Sequence, residues 1–516
     1  MNAKQKEASE GRAWGAGYFL RGEITVFLSL ILLTMLSLLF GLLESARVQA
    51  ARAQCLAGAQ LGMFSLFGEY DRDLLEEYEV FFLDGGCGQG KLMQDVLCAR
   101  LKEYAGENIA GGGFLGTALE QTKLTAVLLA SDEQGAPFFY QAVSWIREEM
   151  LFLALDGVTK ETEHYLSDAG SCMKEGTSLM EQADQVSGRI EELREAARKE
   201  AEEAYEAQAE KTQKEGKPCT AVLDLSEMEF ENPIDTLKRY MEAGILGIAA
   251  GEKELSSAAV RPEELLGGRS RQTGFGSFNN KLSMGSTDGL LFDEYILRKL
   301  PSFLSEDDGP GLCYQTEYVL AGKSSDRENL ETVLERLLLI RFGLNFAFLL
   351  SSGDRQLQAE AVAAGLCTLT GFPVLTELMK TAVLLLWAYE ESLTDIRTLL
   401  CKGKVPFFKS EETFSCTIGE LFSFHPTEQP KEEGLDYEGY IRLLLALQPV
   451  AERTMRCMDM VEHTIRLTEN RPGFCLDSCV FAARAEFDCR LDPLFAGSGW
   501  SGGSFGTECT YSYYVP

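Results

Sequence analysis

The longest apolar segment lies near the start of the chain, in residues 24–43 (ITVFLSLILLTMLSLLFGLL), and contains no charged residue. Twenty helical residues at 1.5 Å each match the roughly 30 Å hydrocarbon core of a bilayer. Residues 44–67 contain no proline and many strong helix formers, so the helix is expected to continue into water. The pattern predicts a transmembrane helix at residues 22–44 and a stalk helix at residues 45–78, preceded by a short polar tail at residues 1–21.

One face of the predicted stalk repeats small or apolar residues at steps of three and four. These residues are Ala46, Ala50, Ala53, Ala57, Leu61 and Phe64. Small side chains let two helix backbones approach closely, so this stripe is a candidate helix-packing face. Its partner is either another membrane-rooted helix or the external domain of the same chain.

Beyond the stalk, short apolar runs and longer helical patterns alternate irregularly, which favours an α+β fold over a regular βα repeat. Strands are predicted at residues 79–84, 123–130, 312–321, 405–409, 475–489 and 509–515, and helices at residues 92–104, 140–155, 290–303, 329–350, 375–400 and 440–467. The predicted class is therefore α+β, with a large mixed external domain built from residues 79–157 and 218–516.

Residues 158–217 interrupt this domain with charged helix formers and a thin apolar stripe that includes Leu179, Ala183, Val186 and Ile190. The stripe predicts a helical hairpin or coiled-coil arm. A solvated insertion with marginal helicity is the alternative interpretation.

Charge limits the partners and the orientation. The net charge of −31 comes from 48 basic and 79 acidic residues, and such a surface repels phosphate backbones, so nucleic acid is not an expected partner. Four basic residues precede the apolar segment and two follow it closely, which predicts a cytoplasmic N-terminus and an extracellular C-terminal domain. A cleaved signal peptide is the alternative, although its apolar region would be shorter. All 14 cysteines follow the segment and few disulfides are expected.

The motifs that suggest chemistry are incomplete. Residues 85–91 (GGCGQGK) fit a phosphate-binding loop, but Leu92 stands where Mg²⁺ needs a hydroxyl. Residues 499–503 (GWSGG) fit a nucleophile elbow, but no histidine follows. His164, His425 and His463 are isolated, residues 475–479 (CLDSC) lack metal-type spacing, and the carboxylates of Glu390, Glu391 and Asp395 are equally explained by a solvated helix face. We expect no catalytic, cofactor-binding or metal-binding residues, no cofactor and no enzymatic activity.

Several segments resemble known sequences. Residues 22–33 (GEITVFLSLILL) and 43–47 (LESAR) resemble the N-terminal anchor of proteins encoded with tight-adherence (Tad/Flp) pilus machinery. Residues 317–330, 387–397, 402–406, 434–445 and 456–462 resemble a clostridial family of such single-pass proteins. The anchor departs from type IV prepilins, because Glu23 follows Gly22 directly and Phe27 occupies the fifth position, so we expect it to remain uncleaved.

The resemblance implies a single-pass cell-membrane protein of a Gram-positive bacterium, an accessory or minor-pseudopilin-like assembly component of a pilus or secretion apparatus. Its implied partners are the membrane, pilus or secretion-system proteins, and a second copy through the stalk. The alternatives are a membrane-tethered external ligand-binding or sensor module and, less well supported, a membrane-tethered hydrolase.

Overall fold

The computed structural model describes residues 13–110, 114–150, 156–214, 232–250, 255–278, 282, 284–305, 311–370, 375–422, 433–492 and 503–513. Their helices and strands are, in chain order, α1 (Ala13–Phe67), α2 (Arg72–Tyr78), β1 (Leu83–Asp84), α3 (Gln94–Ile109), β2 (Thr117–Leu129), α4 (Asp132–Met150), α5 (Asp156–Lys214), α6 (Pro233–Ala243), α7 (Ser286–Lys299), α8 (Gln315–Ala321), α9 (Asp326–Ser351), α10 (Gly353–Thr370), α11 (Thr376–Leu400), α12 (Tyr437–Ala446), α13 (Val450–Thr468), β3 (Cys479–Leu491) and β4 (Gly503–Ser512). The protein is mostly helical with one small antiparallel sheet, which agrees with the predicted α+β class.

Helix α1 is 55 residues long, carries the apolar segment and continues beyond it without a break. Within the described residues it is the one helix long and apolar enough to cross a membrane, with a mean hydropathy of 2.6 in its most apolar window. The side chains of residues 24–43 are exposed, so no other described part of the chain covers them. An uncovered apolar helix of this length suits lipid. The long N-terminal helix is confirmed, and it is consistent with a single-pass membrane protein.

Strand β3 is the centre of the sheet. It pairs antiparallel with β2 along one edge and with β4 and the short β1 along the other. In its second half, buried residues alternate with exposed ones, as expected when only one face of a sheet is covered. Its partners β2 and β4 lie far apart in the sequence, so the sheet joins the two ends of the domain.

Two hydrophobic clusters form the core. The larger one surrounds α4 to α13, and Trp387 is its largest buried side chain. The smaller one fills the space between the sheet, α3 and the domain-proximal part of α1. The long helix α1 is therefore itself part of a core.

The region predicted as a hairpin or coiled-coil arm is one continuous helix, α5. Its first half packs against α9 at two glycines: a Cβ atom on Gly176 would lie 2.1 Å from the carbonyl oxygen of Leu339, and one on Gly343 would lie 2.5 Å from that of Cys172. Because α9 already covers the apolar stripe, no second helix of the arm is needed. The hairpin prediction was wrong for residues 158–214, and residues 215–217 lie outside the described residues.

Several predicted strands also differ from the structure. Residues 315–321 form the buried helix α8, and only residues 83–84 of the first predicted strand pair with the sheet. Residues 405–409 contribute a single bridge, between Val405 and Leu435. These runs are short and apolar, and periodicity does not separate a buried strand from a buried helical turn at that length.

Candidate functional site

The stalk part of α1 docks on the domain through a narrow face. The buried residues of this face are Arg47, Ala51, Cys55, Ala59, Met63, Leu66 and Phe67. At the N-terminal end of this face the Arg47 guanidinium donates to the backbone oxygens of Leu115 at 3.2 Å and Asp492 at 3.0 Å, and it pairs with Glu44 at 2.6 Å. At its other end the Phe67 ring packs 4.7 Å from that of Tyr511.

Close backbone contact tightens this docking. A Cβ atom on Gly62 would lie 2.7 Å from the Cβ of Ala105, and one on Gly58 would lie 2.6 Å from a side-chain carbon of Ile109. Only glycine permits α1 and α3 to approach this closely. The stalk is therefore held rigidly against α3 and the sheet.

The predicted packing face lies on the opposite side of α1. All six of its residues, Ala46, Ala50, Ala53, Ala57, Leu61 and Phe64, are exposed. The two largest, Leu61 and Phe64, are 51% and 61% exposed, and the Phe64 ring touches only the edge of Tyr511, with centroids 6.2 Å apart. The chain's own domain therefore docks on the other face, and the role of this one in packing stays a prediction.

The glycine loop that resembles a phosphate-binding loop is filled by a side chain of its own. Both carboxylate oxygens of Asp84 accept backbone hydrogen bonds, from Gly86 and from Gly88, each at 2.9 Å. Asp84 also pairs with Arg471 at 3.3 Å, while Lys91 is exposed. The Asp84 carboxylate accepts the backbone N–H groups that a bound phosphate would need. The loop is therefore a turn stabilised by an aspartate side chain.

The histidines are dispersed over the structure. His164 lies on α5 beside Tyr165, and His463 lies on α13, where burial lowers its pKa. His425 and residues 499–502 lie outside the described part of the chain. Neither described histidine is positioned beside a nucleophile.

The carboxylates of α11 are not on a solvated face, so that interpretation was wrong. Glu390, Glu391 and Asp395 are all buried, because α11 is covered on nearly every side. Burial raises the pKa of Glu390 to about 9. Glu391 accepts backbone hydrogen bonds from Ser415 and Cys416, the latter at 2.7 Å. Glu391 and Asp395 therefore belong to an interior ionic network, whereas Glu390 is held protonated by its burial.

Arg341 and Lys409 supply the positive charges of this network. The Arg341 guanidinium donates to Asp395 at 2.9 Å and to the backbone oxygen of Phe407 at 2.8 Å, and Lys409 pairs with Glu391 at 2.5 Å and Asp395 at 2.6 Å. Burial alone would raise the pKa of Asp395, but the two cations outweigh it and lower that pKa. Two buried cations balance two buried carboxylates. Sequence analysis missed this, although Arg341 within an apolar helical run (LLLIRFGL) signals it.

A second ionic cluster has the geometry closest to a metal site. Ligand atoms of Glu462, Cys475 and Asp477 lie within 4.8 Å of one another. Arg269 pairs with Glu462 and with Asp477, the latter at 2.7 Å, and Arg466 pairs with Glu462 at 2.6 Å. Two guanidinium groups neutralise these carboxylates, so the cluster does not fit a divalent cation.

One cavity among the described residues has a volume of about 310 Å³. Its wall includes Trp387 and Phe414, and the Arg355 guanidinium carbon lies 4.3 Å from the centre of the Phe414 ring. Arg355 also pairs with Glu411 at 3.1 Å. The aromatic wall is therefore already stacked with a cation of the chain itself.

These features lie mainly in the C-terminal half of the chain, where comparison with protein families also finds its match. The model of DUF5702, a family of unknown function, matches residues 224–491, just over half of the chain. This protein belongs to the DUF5702 family. Comparison with curated proteins and with solved structures gives no match.

The DUF5702 region contains both ionic clusters and strand β3, whereas α1, β2 and β4 lie outside it. Three of the segments that carry the resemblance, residues 317–330, 434–445 and 456–462, contribute buried polar contacts within the region. Glu317 accepts a hydrogen bond from Tyr437 at 2.7 Å, and Tyr318 donates one to Asp459 at 3.0 Å. These segments therefore build the interior, and the stalk docks partly on the DUF5702 region through β3.

Glu317 makes the stability depend on pH. Its Oε1 accepts hydrogen bonds from Phe303 and Tyr437, its Oε2 has no hydrogen-bond partner among the described residues, and burial raises its pKa from 4.5 to about 7. The folded state holds this proton after the unfolded chain has lost it. The stabilisation is therefore complete below pH 4.5 and falls as the pH rises through 7, by about 3 kcal/mol in total.

We expect Glu317→Gln to remove this part of the pH dependence, because glutamine keeps the acceptor oxygen and does not ionise. The free energy of unfolding of both proteins, measured with urea at several pH values between 4.5 and 8, checks it. The difference between them should change steadily across that range, in favour of the variant at high pH. Parallel pH profiles would contradict the assignment.

Proposed function

We propose that this DUF5702 protein is a non-enzymatic, membrane-anchored external protein, an accessory or minor-pseudopilin-like assembly component of a Tad/Flp-type pilus or secretion apparatus. The observation that carries the proposal is the division of α1 into two faces. One face is committed to the chain's own domain, and the opposite face stays exposed from Ala46 to Phe64. A stiff helix with one free face of small residues suits lateral packing against a second membrane-rooted helix.

The proposed orientation places the N-terminus in the cytoplasm and the domain outside the cell. Lys4, Lys6, Arg12 and Arg21 precede the apolar segment. Two basic residues, Arg47 and Arg52, follow it closely. The positive charge that biases topology therefore lies on the N-terminal side. The resemblance of the anchor to Tad/Flp-associated proteins supports the same arrangement.

An external ligand-binding or sensor module is the second candidate. The cavity beside Trp387 and Phe414 favours it, because its volume of about 310 Å³ lies at the lower end of the range of small-molecule sites. Against it, Arg355 stacks on the same rings. A hydrolase has less support, since the glycine loop and both ionic clusters are satisfied by the chain's own groups.

Ala50→Trp tests the assembly proposal in cells. A tryptophan in the middle of the free face would hold a partner helix away, because the side chain fills the space that close backbone approach requires. We expect surface pili, counted by electron microscopy, to fall about tenfold or more, which corresponds to a loss of about 1.4 kcal/mol or more in assembly. The amount of protein in the membrane should not change.

Gln49→Trp is the matched control. Gln49 is also exposed, and a tryptophan there adds the same bulk one residue away from Ala50. Its side chain, however, points 100° around the helix from that of Ala50. We expect it to leave pilus number unchanged. Normal pilus numbers in both variants, with both proteins in the membrane, would remove the proposal.

A further inference from the structure

Two cysteines meet where the stalk docks on the sheet. Cys55 lies on the docked face of α1 and Cys489 lies on β3, and both are fully buried in the smaller hydrophobic cluster. A hydrogen bond joins the two thiols, and it lowers the pKa of Cys55 while raising that of Cys489. They are 434 residues apart in the sequence, so nothing local brings them together.

Neighbouring contacts place Cys55 over Cys489 independently. The Arg47 guanidinium reaches the backbone oxygen of Asp492 at 3.0 Å. From there, eight residues of helix to Cys55 rise about 12 Å, and three residues of strand to Cys489 span about 10 Å. One turn before Cys55, the Arg52 guanidinium carbon lies 5.8 Å from the centre of the Phe505 ring, and Phe505 is the cross-strand partner of Cys489.

Strand β3 directs Cys489 towards the stalk. Cys489 is buried while its neighbours Asp488 and Arg490 are exposed, so it shares the covered face of the sheet with Phe487 on the same side of the pleat. Cys509 on β4 also belongs to this cluster, but it pairs with Ala485, four residues along β3 from Cys489. It lies too far along the strands to compete for Cys489.

We propose that Cys55 and Cys489 form a disulfide that fastens the stalk helix to the central strand of the sheet. Formation joins the two sulfurs and releases two protons and two electrons to a disulfide-bearing oxidant outside the cell. This oxidant is either a thiol oxidoreductase or a low-molecular-weight disulfide, and its S–S bond is reduced to two thiols. Because both sulfurs are buried in the docked state, the bond forms as α1 docks during folding. The inference rests on the extracellular location proposed above.

The consequence for assembly is mechanical. Docking of the Cys55 face determines which way the opposite face of α1 points. A covalent bond at this position keeps the stalk from rolling or peeling from the sheet under load. The six-residue packing face is then presented to a partner in one fixed orientation.

Tryptic digestion tests the bond directly in the full-length protein in cell membranes, after free thiols are blocked with N-ethylmaleimide. Cys55 falls in the peptide of residues 53–72 and Cys489 in that of residues 485–490, and each peptide contains a single cysteine. Mass spectrometry of the unreduced digest should find these two peptides linked, and reduction should separate them. The link should be absent in Cys489→Ser and retained in Cys509→Ser.

Refolding of the purified full chain with oxidised glutathione distinguishes a wrong cysteine pairing from a wrong cellular location. Absence of the link in cells and after refolding would overturn the pairing itself, and would leave the Ala50→Trp result to judge the proposed function. A link that forms on refolding but not in cells would overturn both the cellular disulfide and the extracellular location. A link between Cys55 and Cys509 would also overturn the assignment.

Discussion

Replacing Arg341 with methionine should cost about 3–5 kcal/mol of folding free energy, because it leaves two buried carboxylates facing one cation. Asp395 would lose one of its two cationic partners, and the backbone oxygens of Pro406 and Phe407 would lose their donor. Methionine keeps much of the volume, so the effect reports charge and hydrogen bonding rather than a cavity. Because the site is buried, water does not replace the lost contacts.

The measurement is urea unfolding of the detergent-solubilised full chain, followed by tryptophan fluorescence, since Trp387 lies in the same core. Arg490→Met is the matched control. Arg490 also faces two carboxylates, those of Glu120 and Asp492, but its side chain is 51% exposed. Exposed pairs contribute about 1 kcal/mol or less. Equal losses in the two variants would show that the Arg341 network is not a buried one.

Gly176→Ala should destabilise the protein by about 3 kcal/mol, at the upper end of what an added methyl group costs in a packed core. The new Cβ would lie 2.1 Å from the backbone oxygen of Leu339. The atom in the way belongs to the backbone of α9 and cannot rotate aside as a side chain could. The two helices, α5 and α9, must therefore move apart. The predicted result is a lower urea midpoint and faster hydrogen exchange in both helices.

Gly188→Ala is the control on the same helix. A Cβ atom there meets nothing within 4 Å, and the residue is exposed. Because alanine favours helix over glycine, this variant should gain up to about 1 kcal/mol. Opposite signs from the same substitution, twelve residues apart, would establish the helix crossing. Similar small effects at both positions would contradict the close approach of α5 and α9.

Some features of the fold follow directly from local sequence. Twenty uncharged apolar residues followed by a proline-free segment predicted α1, and its continuity is what the structure shows. The interior network was not predictable in the same way, because Arg341 and Asp395 are 54 residues apart on different helices. Charged residues in a predicted helix are expected to lie on a solvent-exposed face unless their ionic partners are known. The continuous α5 was missed because its covering partner, α9, lies far along the chain.

The candidate site shows a similar limit. Helical periodicity identified a face at Ala46, Ala50, Ala53 and Ala57, but the opposite face, with Ala51, Cys55 and Ala59, has the same small-residue spacing. Periodicity alone does not tell which of two such faces meets the chain's own domain. The glycines at 58 and 62 indicate it, because they permit the close approach of α3.

Cysteine cross-linking in native membranes tests the central claim, that the free face of the stalk packs against a neighbouring helix. Ala57→Cys places a thiol on the free face, and Leu56→Cys places one at nearly the same height but 100° around the helix, where the native side chain is also exposed. Cys55, Cys489 and Cys509, which lie near the stalk, are buried, and the parent protein supplies the background from the native cysteines.

After mild oxidation, the account predicts an intermolecular disulfide for Ala57→Cys, seen as a higher-mass species on unreduced gels, and little for Leu56→Cys or the parent protein. Cross-linking of Ala57→Cys should also disappear when Ala50→Trp is added. Equal cross-linking from positions 56 and 57, or none from position 57 in assembled apparatus, would contradict it.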